Sequence, residues 1–281
     1  MINDMNNKIA GNSKLVLENK PNGTVATTSH FVGASKVSPA IFLGREKTPC
    51  YFLLHLGGGY VEGEVYKNSI EVKKDAKAII TTQAPTKVYK CEKNREPACQ
   101  ETIIKMEENS VLEYISDSVI LYKNAMYNQD TTIYMDKKAT LIYTDGITSG
   151  WSPDGSKFQY DSVKMRNKIY VDNKLLLLDN LQLSPREYDV TELGILEGYI
   201  NFGTMVVINE NMNENYVEKA REIIDALNLD IKYGVSILEE HGIIIRILGN
   251  LTQEIQKAID AVHYYLREEL FGLKPINIRK Y

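Results

Sequence analysis

The feature that most constrains this chain is a run from about Thr24 to Phe202 of short segments in which apolar residues alternate with polar ones. The segments are rich in Val, Ile, Thr and Tyr and are separated by turn residues. A period of two sends successive side chains to opposite faces, so each segment reads as a strand with one face to bury. Ala78 to Thr82, Thr102 to Met106, Val111 to Tyr114, Thr131 to Met135, Ala139 to Thr144 and Val163 to Val171 all fit. Asp172-Asn173 separates Lys168-Ile169-Tyr170-Val171 from Lys174 to Leu178 and tolerates left-handed backbone angles, which predicts a two-residue hairpin.

Composition changes after Phe202. Residues 202–272 read β-α-β-β-α: a strand at Met205 to Ile208, a helix over Asn213 to Asn228, strands at Val235 to Leu238 and Ile243 to Leu248 turned at His241-Gly242, and a helix over Thr252 to Phe271. Tyr216, Ala220, Ile223, Ile224 and Leu227 fall on one helical face, as do Ile255, Ile259, Val262, Leu266 and Leu270, and Gly272 supplies a stop. The expected organisation is a polar segment over residues 1–20 followed by one β-rich domain over 21–281. No internal sequence repeat is visible.

Several function classes drop out on composition. With 33 basic and 37 acidic residues and no basic block, nucleic acid is not an expected partner. No apolar stretch approaches the roughly 20 residues of a membrane-spanning helix, and residues 1–20 lack a secretory h-region, so no membrane association is expected. Cys50, Cys91 and Cys99 are odd in number and form no Cys-x-x-Cys pair, which fits a reducing cytoplasm.

The chemistry-bearing candidates are few. Gly57-Gly58-Gly59 requires positive φ angles or close approach by another chain, either as a tight structural turn or as a contact loop. No Gly-Lys-Ser/Thr ending follows, which argues against a phosphate loop. Glu62 and Glu64 share a face if a strand begins there, and such a pair either binds a cation weakly or sits in solvent. Glu113 and Asp117 are also spaced for one extended face and could form a glycosidase-like pair across a cleft. His30, His55, His241 and His263 are scattered, so no tight transition-metal site is expected, and His263 on its helix reads as structural.

Four stretches taken in order resemble the UreD (UreH) family of urease accessory proteins. They are His55-Leu56-Gly57-Gly58-Gly59 with Gly63-Glu64, Thr81-Thr82-Gln83-Ala84-Pro85-Thr86-Lys87-Val88-Tyr89, Leu112-Glu113-Tyr114-Ile115-Ser116-Asp117 with Ile120, and Arg279-Lys280-Tyr281. The resemblance runs from about residue 20 to the C-terminus. It implies a mostly β fold, two stacked layers of strands in a helix-like arrangement, with two α-helices in the C-terminal third. It also implies a chaperone and scaffold rather than an enzyme, one that joins UreF and UreG on apo-urease and holds no stable cofactor while Ni2+ passes in transit.

Glu62 and Glu64 become candidates for that transient nickel path. Gly57, Gly58, Gly59, Gly63, Thr82, Gln83, Lys87 and Tyr89 become candidates for a partner-binding or structural loop. The family usually carries Gly-Asp where Gly63-Glu64 stands, and the segment from Asp145 to Gly155 departs from its common pattern, so the resemblance assigns no role there. The alternatives are a carbohydrate-active β-helix enzyme using Glu113 and Asp117, and a structural binding module without an ion role.

Overall fold

A computed structural model describes residues 9–44 and 46–278, and Arg279-Lys280-Tyr281 lies outside them. The chain enters as β1 (Ile9–Lys20) and turns at Pro21-Asn22 into β2 (Gly23–Gly33). The short β3 (Ser35–Val37) and β4 (Ile41–Phe42) then flank β5 (Pro49–His55). Residues 9–20, set apart in the sequence reading as a polar segment, are thus part of the fold. Lys14 sits between the buried Ser13 and Leu15, and Leu17 is buried as well.

From β5 the chain winds as a flattened coil. β6 (Val65–Val72) lies in one sheet and β7 (Lys77–Thr82) in the other, and β8 (Lys87–Val88) lies in the connecting wall. The pattern repeats with β9 (Ala98–Met106), β10 (Val111–Ile115) and β11 (Ile120–Leu121); β12 (Met126–Met135) and β13 (Thr140–Thr148) then add a third turn to the two sheets, and β14 (Ser162–Val171) returns to the first. Strands of successive turns therefore pair in parallel: β1, β6, β9, β12 and β14 in the first sheet, β5, β7, β10 and β13 in the second. β15 (Lys174–Leu183) closes the first sheet as a hairpin through Asp172 and Asn173, both at positive φ as the dipeptide predicted.

The rest of the chain completes the second sheet with antiparallel β16 (Asn201–Ile208), β17 (Ile231–Ile237) and β18 (Gly242–Gly249). α1 (Glu214–Ala226) and α2 (Thr252–Phe271) pack on its outer face. Asn213 caps α1 by accepting from the Asn215 N–H, and Gly272 ends α2 at φ 63°. Val217, Ala220 and Ile224 of α1 and Ile255, Ile259, Val262 and Leu266 of α2 are buried against Met205, Val207, Ile243 and Ile245. Leu227, counted on the apolar face of α1, is exposed at its C-cap. Among the described residues no helix is long and apolar enough to cross a membrane.

The space between the sheets is layered. At one end Leu15, Leu17, Ile70, Ile104, Ile133 and Ile169 of the first sheet meet Ala78, Ile80, Leu112 and Leu141 of the second, each fully buried Leu or Ile contributing about 1.5–3 kcal/mol. At the other end Tyr66, Tyr127 and Val163 meet Val88, Val119 and Leu121. Between the two, the inward row of β12 turns polar at Gln129 and Thr131 before returning to Ile133, and Ser13, Thr102 and Asn167 are buried beside it. A polar layer inside a two-sheet core costs stability unless its groups are satisfied, which directs attention to what it surrounds.

Candidate functional site

The polar layer opens into a cavity of about 250 Å³ between the sheets, with Gly58 and Gly59 at one wall and Gln129, Thr131, Tyr143 and Asp145 deep inside. A second cavity, about 560 Å³, lies on the α2 side of the second sheet beneath residues 276–278. The two share Pro85, Ser116, Asp117 and Asp145 as lining. A route from the glycine loop to the α2 side would therefore pass two carboxylates.

Asp145 sits on β13 in an otherwise apolar stretch, Leu141-Ile142-Tyr143-Thr144-Asp145-Gly146-Ile147, and is buried. Gln129 Nε2 donates to its Oδ2 at 2.7 Å, Asn167 Nδ2 at 3.3 Å, the Tyr143 hydroxyl lies at 3.2 Å, and the Gly146 N–H donates to Oδ1 at 2.8 Å. Desolvation pushes its pKa up to about 6 in spite of these donors. The two other buried carboxylates among the described residues are paired with cations, Glu113 with His263 and Arg267 and Asp161 with Arg95 and Arg186. No salt bridge reaches Asp145 among the described residues. A buried carboxylate held by dipoles alone is a place where a cation is favoured by the field and lacks a fixed partner.

Asp117 lies past the end of β10. The Thr82 hydroxyl donates to its Oδ2 at 2.8 Å, and its own N–H donates back to Thr82 Oγ1 at 3.0 Å. Glu113 and Asp117, expected on one face, are therefore separated by the end of the strand. Glu113 lines neither cavity, and although desolvation works against it, His263 and Arg267 hold its carboxyl below the usual range. That is the opposite of the raised pKa that a glycosidase acid needs. His263, read as structural, is the buried partner that pins α2 to β10.

The glycine loop forms a tight turn closed on by the chain's own residues 87–89. Gly57 and Gly58 have φ of 115° and 85°, and a Cβ on Gly59 would stand 2.8 Å from the Lys87 carbonyl oxygen and 2.9 Å from the Tyr89 ring. Close packing is secured by a bridge in which Tyr60 N–H donates to Lys87 O and Tyr89 N–H donates to Tyr60 O, each at 2.8 Å. Gln83 and Lys87 line the first cavity, Gly63 turns at φ 73°, and Tyr89 packs edge-on against Tyr122.

Glu62 and Glu64 do not begin a strand, because β6 starts at Val65. Glu62 accepts from the backbone N–H groups of Glu92, Lys93 and Asn94, which outweigh desolvation and keep its carboxyl below the usual range. Its partners lie some 30 residues on, a relationship invisible locally. Glu64 accepts from the Val61 N–H at 2.9 Å and the Tyr66 hydroxyl at 2.6 Å, and Tyr66 in turn meets His55 Nε2 at 2.9 Å. Neither Glu62 nor Glu64 lines either cavity. Sequence reasoning missed Asp145, although an acid inside an apolar strand was a usable signal. Among the described residues no group of three or more His, Cys, Asp or Glu side chains is placed to hold a metal ion.

The sequence profile of the UreD urease accessory protein matches residues 10–280. The chain belongs to the UreD family. The urease accessory protein UreD of Lachnoclostridium phytofermentans is 36% identical over 271 residues, covering 96% of this chain and 98% of that protein. The UreD of Streptococcus thermophilus is 41% identical over 266 residues, covering 95% of each. The UreD of Ureaplasma urealyticum is 41% identical over 260 residues, covering 91% of this chain and 90% of the relative. UreD membership extends across both sheets and both helices, so the cavities and Asp145 fall within the matched region.

Proposed function

We propose that this chain is a urease maturation scaffold that joins UreF, UreG and the apo-urease subunits and offers Ni2+ a route past Asp145 and Asp117. It performs no catalysis of its own. The single observation that carries the reading is Asp145, a buried carboxylate that lines both cavities and has no salt-bridge partner among the described residues.

A path for an ion must hold it weakly enough to release it. Oxygen donors at Asp145, Asp117, Gln129 and the nearby hydroxyls suit transit of a borderline cation better than storage, which imidazole and thiolate clusters favour. The expected path runs through Asp145 and Asp117 rather than along Glu62, whose oxygens are occupied by loop amides.

The test is coexpression of the urease subunits, UreF and UreG with and without this chain, followed by metal analysis of purified urease. The expected result is urease made in normal amount but poor in nickel when the chain is missing. Full nickel loading in its absence, at ordinary nickel levels, would overturn the proposal.

A further inference from the structure

The sequence offers no histidine cluster, but the structure fixes one histidine in a form that matters for metal chemistry. His55 ends β5, is half-buried, lines the first cavity, and lies with its ring centroid 5.0 Å from those of both Tyr60 and Tyr66, edge-on to each. The Tyr66 hydroxyl has one proton and two polar neighbours. Glu64 Oε2 at 2.6 Å is a carboxylate oxygen and only accepts, so the proton points to Glu64. Burial and the adjacent carboxylate raise the Tyr66 pKa well beyond its ordinary value, so that proton stays in place.

The Tyr66 oxygen can then only accept from His55, and the 2.9 Å contact to Nε2 requires a proton on Nε2. Desolvation lowers the His55 pKa, which keeps the ring neutral with its lone pair on Nδ1. Among the described residues Nδ1 has no hydrogen-bond partner. Gly57 stands beside the ring, and a Cβ built on it would lie 3.9 Å from Cε1. A neutral imidazole whose far N–H is anchored through a hydrogen-bonded chain to a carboxylate is the arrangement that outer-shell groups impose on metal-ligating histidines.

We propose that His55 Nδ1 is a ligand for a borderline divalent cation at the glycine-loop mouth of the first cavity, with Glu64 and Tyr66 as positioning residues that hold its tautomer. One imidazole, with carbonyl and water oxygens completing the shell, makes a weak capture site rather than a store. The inference rests on the nickel reading above and gives Glu64 an indirect role in place of a direct one.

The test uses the full chain carrying isotope-labelled histidine, with Ni2+ alone as the probe. Only four imidazoles contribute signals, and loss of one peak in His55→Gln assigns His55. Before nickel is added, Nδ1 of His55 should resonate as the unprotonated nitrogen and Nε2 as the protonated one. On titration the His55 signals should broaden at lower nickel than those of the exposed His30 and His241. Tyr66→Phe, which unlocks the tautomer, should raise the nickel needed by about tenfold.

Broadening of His30 or His241 before His55, or a proton on Nδ1 in the parent, would overturn the inference, and neither observation depends on a variant folding. If urease loads fully without this chain while His55 still broadens first, nickel delivery falls and the ligand stands. If activation needs Asp145 but His55 does not broaden first, the ligand falls and the passage stands.

Discussion

Glu113 Oε2 lies 2.5 Å from His263 Nε2, across 150 residues of sequence and with both side chains buried. The same carboxylate pairs with Arg267, which also reaches Glu46 and donates from Nε to the Lys274 carbonyl at 3.2 Å. One buried network thus ties β10, α2, the loop before β5 and the segment after α2 together. Burying charges costs desolvation, which the mutual pairing offsets, so removing one member leaves the others uncompensated.

Arg267→Leu should therefore destabilise the fold by about 3–5 kcal/mol, since it takes the guanidinium from both Glu46 and Glu113 and leaves buried Glu113 with His263 alone. Denaturant unfolding checks this. A loss under about 1 kcal/mol would mean that the network is solvated in solution.

Asp145 behaves oppositely, because no salt bridge reaches it among the described residues. Its pKa rises from 3.8 unfolded to about 6 folded, some two units, which corresponds to about 3 kcal/mol. A raised folded pKa means the stabilising contribution is complete below about pH 4, declines as pH rises, and is gone above about pH 6. Asp145→Asn has no such loss, so its melting temperature should exceed that of the parent at pH 7.5 and lose that advantage at pH 4. An equal difference at both values would show that Asp145 does not titrate as a buried acid.

Gly58 and Gly59 should respond to a new Cβ for different reasons. Gly58→Ala meets a left-handed backbone and the Tyr89 hydroxyl at 2.9 Å, whereas Gly59→Ala meets the Lys87 backbone carbonyl. Each should cost about 1–3 kcal/mol. Tyr89→Ala should relieve part of the Gly58 penalty, while the Gly59 penalty should persist, as thermal unfolding of the single and double variants would reveal.

Glu62→Ala should release the loop it caps. Hydrogen exchange at Glu92, Lys93 and Asn94 should quicken while the strands stay protected, with a global loss of only about 0.5–2 kcal/mol. Unchanged exchange at these three amides would remove Glu62 from the capping role.

Much of the fold was legible because it is local. Alternation marked the strands, Asp172-Asn173 marked a hairpin, and apolar spacing with Gly272 marked α2. The coil of stacked layers was legible only through the family resemblance and not from spacing, since its turns share backbone geometry without a shared sequence: Asp75 and Asn109 take the same left-handed conformation in corresponding connections. Of the site, Gly58, Gly59, Thr82, Gln83, Lys87 and Asp117 were legible in the sequence, and all of them line the first cavity. Glu62 and Glu64 resembled a strand-borne pair because their real partners, the amides of 92–94 and the Tyr66 hydroxyl, could not be read from spacing. Asp145 became visible as a site only once the fold placed it in the lining of both cavities.

In the proposed route the buried carboxylate of Asp145, which costs stability at neutral pH, passes nickel to urease. Asp145→Asn keeps the size and removes the charge, so it separates ion passage from packing. The direct measurement is the initial rate of urease activation at limiting nickel, with UreF, UreG and apo-urease present and complex formation checked by co-purification. The variant should assemble as the parent does and activate urease several-fold more slowly, with the gap narrowing when nickel is in excess. Normal assembly with an unchanged initial rate at limiting nickel would contradict the account.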